Sequence, residues 1–157
     1  MNIFKKDYDK NYTVIIGCGR LGSYLAQVLS SQNKNVIILD KEKKSFDRLS
    51  GNFGGLSICA SGLDLDVLEE INIKKASAVI VVTDNDNTNI MIAQIVKYMF
   101  NVENVLARLY DPERDMVYRK LGIRTICPST LSATEIENFL DSSRINRINL
   151  ERKIANA

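Results

Sequence analysis

The chain has no histidine. That removes the commonest general acid–base side chain and a common metal ligand, so no metal site is expected. Cysteine is scarce. Cys18, Cys59 and Cys127 are odd in number, far apart and without C-x-x-C spacing, which argues against a disulfide framework or a zinc site. No apolar run reaches the about 18 residues of a membrane-spanning helix. The opening Met1-Asn2-Ile3-Phe4-Lys5-Lys6-Asp7 lacks the apolar stretch of a secretory signal. A formal net charge of +2 is too small to argue for nucleic acid. No tyrosine is followed four residues later by lysine, and no internal repeat, low-complexity segment or linker stands out. What remains is a chain of 157 residues, 45% apolar, enough to build one cored domain, with the cytoplasm as its default location.

The most informative stretch is Val14-Ile15-Ile16-Gly17-Cys18-Gly19-Arg20-Leu21-Gly22, with Asp40 closing the next apolar run. A strand enters a G-x-G-x-x-G turn that opens a helix, and an acid follows about 20 residues on, the pattern of a dinucleotide-binding unit. Gly17 permits the tight turn, Gly19 lets backbone approach a pyrophosphate, and Gly22 lets helix and strand pack closely. The helix start offers unpaired N–H groups and partial positive charge to phosphates. Asp40 is placed to accept from ribose hydroxyls and to repel a 2′-phosphate. Cys18 reads as a small residue that fits between the glycines, with an activated thiol as the alternative. Arg20 is a cation in a first helical turn, against the dipole; phosphate contact would explain it, and a solvated arginine is the other reading.

Taken in order, residues 1–11 read as a polar leader and 12–17 as a strand. A helix follows over 20–32, with Leu21, Leu25, Val28 and Leu29 on one face. Strands are expected at 36–40, 56–60, 77–82, 104–107 and 124–127. Between them come a short helix at 43–49, one from Asp64 through Ile71, one over 85–100 and one from Pro112 to near Gly122. A last helix opens at Ser129 or Thr130 and reaches at least Leu140. The alternation predicts an α/β fold, a doubly wound parallel six-stranded sheet, with both mononucleotide halves present. Residues 1–141 then form one domain and 142–157 a polar tail, leaving no room for a substrate domain. Thr83-Asp84-Asn85-Asp86 falls at the carboxyl edge of the sheet, where open α/β folds bind ligands, and would also cap the next helix. Arg108 is a charge ending an apolar run and reads as facing the same crevice. The helix from Ile90 to Phe100 is apolar nearly all round, which suggests burial against another subunit, with deep burial in its own domain as the alternative.

Together these residues resemble the N-terminal nucleotide-binding domain of the RCK family (regulator of potassium conductance), in its Trk/Ktr-type potassium-uptake branch. The resemblance runs over about residues 10–140. It is carried by Gly17-Cys18-Gly19-Arg20-Leu21-Gly22, Asp40, Thr83-Asp84-Asn85-Asp86 with Asn89, Ala107-Arg108 with Asp111-Pro112-Glu113, Leu121-Gly122-Ile123 and Cys127-Pro128. It implies a non-enzymatic sensor that binds NAD(H) or the adenine nucleotides ATP, ADP or AMP. It further implies a homodimer or ring on the cytoplasmic side of a membrane potassium channel or transporter, gating it by ligand. Carried over by position, Gly17 to Leu21 would hold phosphates and Asp40 the ribose. Thr83 and Asp84 would line the second half, and Arg108 would meet phosphate or a second nucleotide. The helix from about Thr130 would be the crossover helix that pairs two domains. Many family members carry Gly-Asp after the third strand where this chain has Ala60-Ser61, so Ser61 would be the hydrogen-bonding group there. The usual C-terminal regulatory domain is missing from the sequence, which points to a longer RCK-type partner. Two readings from other classes stay open: a small NAD-dependent oxidoreductase, and a nucleotide sensor serving a cation/proton antiporter or a transcription factor.

Overall fold

The computed structural model describes the backbone of residues 12–155 and side-chain surroundings from 12 to 141. The expected leader at 1–11 and the side chains of the expected tail from 142 lie outside that description. The chain divides into two compact units, Met1–Ile126 and Cys127–Ala157.

The first unit is a six-stranded parallel sheet in the order β3-β2-β1-β4-β5-β6. The strands are β1 Tyr12–Ile16, β2 Asn35–Asp40, β3 Leu56–Cys59, β4 Ala78–Val81, β5 Val105–Arg108 and β6 Arg124–Ile126. β1 is central, with Val14 beside Ile37 of β2 and Val79 of β4. Val14, Ile15, Ile16 and Val36 through Leu39 are all buried. Covered on both faces, these strands read as unbroken β-branched runs because parallel sheets leave neither face to water. Order in this sheet reverses between β1 and β4. That places a crevice beyond the carboxyl ends of those two strands.

Helix α1 (Arg20–Ser31) covers one face. There Leu21, Leu25, Ala26 and Leu29 pack with Ile15, Ile38 and the loop residues Phe46 and Phe53. The other face lies under α2 (Leu65–Glu70) and α3 (Asp86–Gln94), through Leu68, Ile90, Ile92 and Ala93. Helix starts follow the sequence closely. Asp64 accepts from Asp66 and Val67 N–H groups, Asn85 from Thr88, and Asp111 from Glu113.

Several elements differ from expectation. The segment 43–49 is a 3₁₀ helix over Lys43–Arg48. The helix expected over 85–100 is α-helical only to Gln94 and continues as a π turn over Ile95–Met99. The wider turn keeps Val96 fully buried while Tyr98 and Met99 stand 57% and 59% exposed. The apolar excess noted in the sequence is therefore split: Ile90, Ile92, Ala93 and Val96 serve the core, and Met91, Tyr98 and Met99 face outward. Pro112 opens a 3₁₀ turn, Pro112–Arg114, that leads into α4, Asp115–Lys120. Left-handed backbone falls on asparagine outside glycine, at Asn33, Asn72 and Asn101, the residue type that tolerates it best.

The second unit is α5, which runs from Pro128 to Ala155 over 28 residues. The segment expected as a polar tail from 142 is helical as far as Ala155. Ile145, Ile148, Leu150 and Ile154 are scattered through an otherwise polar segment and give only a weak helical periodicity.

Tyr12 anchors the start of the sheet. Its ring is 2% exposed, and its hydroxyl donates to the carbonyls of Ile71 at 3.0 Å and Asn72 at 2.7 Å. Burial raises its phenol above the ordinary value. Tyr12→Phe should cost about 1 kcal/mol, because the buried Ile71 carbonyl loses its hydroxyl donor while the Asn72 carbonyl keeps the Lys75 N–H. Urea unfolding checks this, and an unchanged midpoint with unchanged slope would refute it.

Candidate functional site

The site grows from the exit of β1. Gly17 sits at φ +109, and a Cβ there would lie 2.8 Å from the Thr83 nitrogen and 2.9 Å from the Val82 carbonyl. A Cβ on Gly22 would lie 1.9 Å from the Gly17 carbonyl oxygen. Both positions demand glycine for close backbone approach. Gly19 is different: nothing lies within 4 Å of where its Cβ would be. It faces open space at the start of α1, which begins without a capping side chain. The first-turn N–H groups therefore have no side-chain acceptor, the arrangement that suits an anion.

Asp40 ends β2 beside this turn. Its Oδ2 accepts from the Cys18 N–H at 2.6 Å and its Oδ1 from the Glu42 N–H at 2.9 Å. The carboxylate is thus fixed in orientation with a lone pair left on each oxygen for hydroxyl donors. Cys18 is fully buried, and its thiol lies 3.4 Å from the Ser45 carbonyl. Burial, with the nearby Asp40 charge adding and Arg48 opposing, pushes its pKa up to about 11. The alternative of an activated thiol is thereby corrected: loss of solvent outweighs the helix terminus.

Beyond β4 a second cluster forms. Asn89, buried to 0% exposure, accepts from the Thr83 N–H at 2.8 Å and hydroxyl at 2.6 Å, and donates to the carbonyls of Thr83 and Arg108. The Arg108 guanidinium donates to the Thr83 carbonyl and lies 4.3 Å over the Tyr110 ring. Its Nε is buried and has no hydrogen-bond partner among the described residues. A buried donor without an acceptor is costly, and a ligand oxygen is one group that would satisfy it.

Of the residues singled out in the sequence, Gly17, Cys18, Gly19, Leu21, Gly22 and Asp40 come together at the ends of β1 and β2. Thr83 joins them through its backbone against Gly17, and Arg108 joins Thr83. Arg20, Ser61 and Asp84 are exposed. Arg20 opens α1, and Asp84 lies on the turn between β4 and α3. Ser61 follows β3 next to Ala60, whose N–H donates to the Asp40 carbonyl, and its hydroxyl accepts from Leu63. Sequence reasoning gave neither Asn89 nor Tyr110 a role in the site, although Asn89 stands in the motif that carries the family resemblance, which was the available signal for it. A separate cleft of about 430 Å³, between Tyr24, Val28 and Phe53, contains none of these residues.

Residues 13–128 match the sequence profile of the TrkA-N domain. The chain belongs to the TrkA-N domain family. A relative from Streptomyces coelicolor, named Trk system potassium uptake protein TrkA, is 44% identical over 125 residues. The match covers 80% of this chain and 56% of that protein, so the chain spans little more than half of its relative. Among solved structures, the TrkA-N domain of the Escherichia coli inner membrane protein ybaL superposes with a TM-score of 0.72 at 16% identity, covering 83% of this chain and 96% of that one. The GsuK channel superposes in two forms. Bound to NAD, it gives TM-score 0.64 at 18% identity over 78% of this chain and 22% of the channel. Bound to ADP, it gives 0.71 at 21% over 85% and 35%. At these identities the likeness is one of fold. This TrkA-N domain has no described helix long and apolar enough to cross a membrane.

The thiols give a direct test of the turn. Alkylation with iodoacetamide, mapped by mass spectrometry at pH 8, should label exposed Cys59 and leave Cys18 unmodified in the folded protein. Because the raised Cys18 pKa keeps its proton on in the folded state, its contribution is full below about pH 9 and is lost as pH rises toward 11. Urea stability should fall by on the order of 2 kcal/mol more across that window in the wild type than in Cys18→Ala. Parallel pH curves for the two proteins would refute the assignment.

Proposed function

We propose that this TrkA-N domain is a nucleotide-binding regulatory subunit of a potassium uptake system. It works on the cytoplasmic face of the membrane through a channel or transporter partner, and is a sensor rather than an enzyme. The observation that carries this reading is the uncapped start of α1 with open space above Gly19, flanked by the oriented carboxylate of Asp40. Oriented N–H groups and a helix dipole bind an anion without further chemistry, and a fixed carboxylate beside them receives ribose hydroxyls. NAD(H) or an adenine nucleotide (ATP, ADP or AMP) fits this pairing of charge and hydroxyl recognition. Gly17 to Gly22 would hold phosphates and Asp40 the ribose. Ser61, Thr83, Asp84 and Arg108 would complete the wall. Arg20, exposed in the first turn of α1, would reach a terminal phosphate.

The naming of relatives as potassium uptake proteins supports the partner, and nucleotide-bound GsuK supports the ligand class. Outward-facing Met91, Tyr98 and Met99 support self-association into a dimer or ring, with a longer RCK-type chain as a further candidate partner. A ligand moves such an assembly only through unequal affinity for two of its states.

Calorimetric titration of the purified protein with NAD⁺, NADH, ATP, ADP and AMP tests the reading. At least one should bind, and Arg20→Gln should weaken the tightest of them about tenfold, the worth of one charge-assisted contact. No binding by any of the five at about millimolar concentration would overturn the proposal.

A further inference from the structure

Asn89 uses every hydrogen-bonding capacity of its side chain on two strand exits. Its Oδ1 accepts two bonds from Thr83, at 2.8 Å from N–H and 2.6 Å from the hydroxyl. Its Nδ2 donates at 3.2 Å to the Thr83 carbonyl and at 3.0 Å to the Arg108 carbonyl. The amide thus ties the end of β4 to the end of β5 from within α3. Its neighbours Ile90, Ile92 and Ala93 are buried apolar residues, and packing alone would be served by another of that kind. A buried amide is tolerated where all its bonds are made.

A second grip lies one turn earlier on the same helix. The Asp86 carboxylate accepts from the Tyr110 N–H at 2.9 Å and 3.0 Å and from the Asp111 N–H at 3.2 Å. Between the two grips stands Arg108. Its backbone is held by Asn89, its guanidinium is bonded to the Thr83 carbonyl, and its plane lies over Tyr110, whose backbone Asp86 holds. Arg108 carries four or more torsions, and most of its orientations would waste its charge. Fixing its backbone, its stacking ring and its carbonyl partner selects one.

We infer that Asn89 is a positioning residue for ligand binding: it ties the ends of β4 and β5 so that Arg108 is held ready for an anionic group of the nucleotide. This rests on the nucleotide-site reading above. Asn89 acts through Arg108, so its effect on affinity must vanish when Arg108 is gone, whereas a merely structural asparagine would add its cost in either background.

The experiment is a double-mutant cycle, titrating ADP and NAD⁺ into wild type, Asn89→Ala, Arg108→Ala and the double variant, with thermal melting of each. Asn89→Ala should weaken binding about tenfold in the wild-type background and less than about twofold in Arg108→Ala. Asn87→Ala, an exposed change on the same turn, should leave affinity unchanged. Equal losses in both backgrounds would overturn the inference while leaving the nucleotide site standing. Failure of the wild type to bind ADP, NAD⁺ or any of the other three nucleotides named above would remove both the inference and the nucleotide site. Should Asn89→Ala not fold, the side-chain NH₂ resonances of Asn89 decide. Added nucleotide should shift them in the wild type and not in Arg108→Ala, and binding that leaves them unmoved in the wild type overturns the inference.

Discussion

The site depends on two glycines whose backbones lie too close to their neighbours to admit a side chain. Gly22 presses on the Gly17 carbonyl so tightly that a methyl group would sit 1.9 Å from the oxygen, and Gly17 in turn lies against Val82 and Thr83. This double contact fixes three things at once. It draws the start of α1 onto the exit of β1, sets both against the exit of β4, and leaves Gly19 facing open space. The Cys18 N–H is then directed at Asp40 across the end of β2. Three strand ends and one helix terminus are thus located by a turn that tolerates no side chain at two of its positions.

The two sides of that turn are built with different chemistry. Toward β2, binding capacity resides in unpaired N–H groups and one carboxylate already oriented by two amides. The carboxylate is already oriented by the Cys18 and Glu42 N–H groups in the free protein, so that half is preorganised. Toward β5, it resides in a long cation held by a buried carboxamide and an aromatic ring, with one guanidinium nitrogen left unpartnered. That half carries a desolvation cost in the free protein that a ligand oxygen would relieve. Gly17 touches the first half by covalent continuity and the second by packing.

How much of this was legible depends on how local each cause is. Strands buried on both faces write themselves as runs such as Val36-Ile37-Ile38-Leu39, and capping residues such as Asp64, Asn85 and Asp111 mark helix starts through bonds to N–H groups two or three residues away. The six-stranded doubly wound sheet followed from those alone. The glycine spacing disclosed the turn. The π turn at Ile95–Met99 had no such signal, because an α-helix and a π turn need the same residues and the choice is set by what Val96 packs against. Asn89 bonds to a residue 19 positions away, and Asp86 to one 24 away. Contacts at that separation leave no periodic trace. Cys18 was legible as a small buried residue, and its bond to Ser45, contributed by a 3₁₀ segment, was not.

Arg20 is the residue whose energetics make least sense in the free domain. It stands exposed in the first turn of α1, has no ion-pair partner among the described residues, and opposes the helix dipole, at a cost of a few tenths of a kcal/mol. A neutral or acidic side chain there would stabilise the helix. On the proposed reading, an anion bound at the open start of α1 would reverse that sign, because the same cation would then meet negative charge, a contact worth more than the dipole effect it opposes. Arg20 would then contribute unfavourably to the free state and favourably to the bound one. A residue of that kind adds to the free-energy difference between states, which is the quantity a sensor must make large, whereas the glycines that shape the turn favour the same backbone in both. On the proposed reading, Gly17, Gly19 and Gly22 allow a nucleotide to bind, and Arg20 makes the binding depend on its charge.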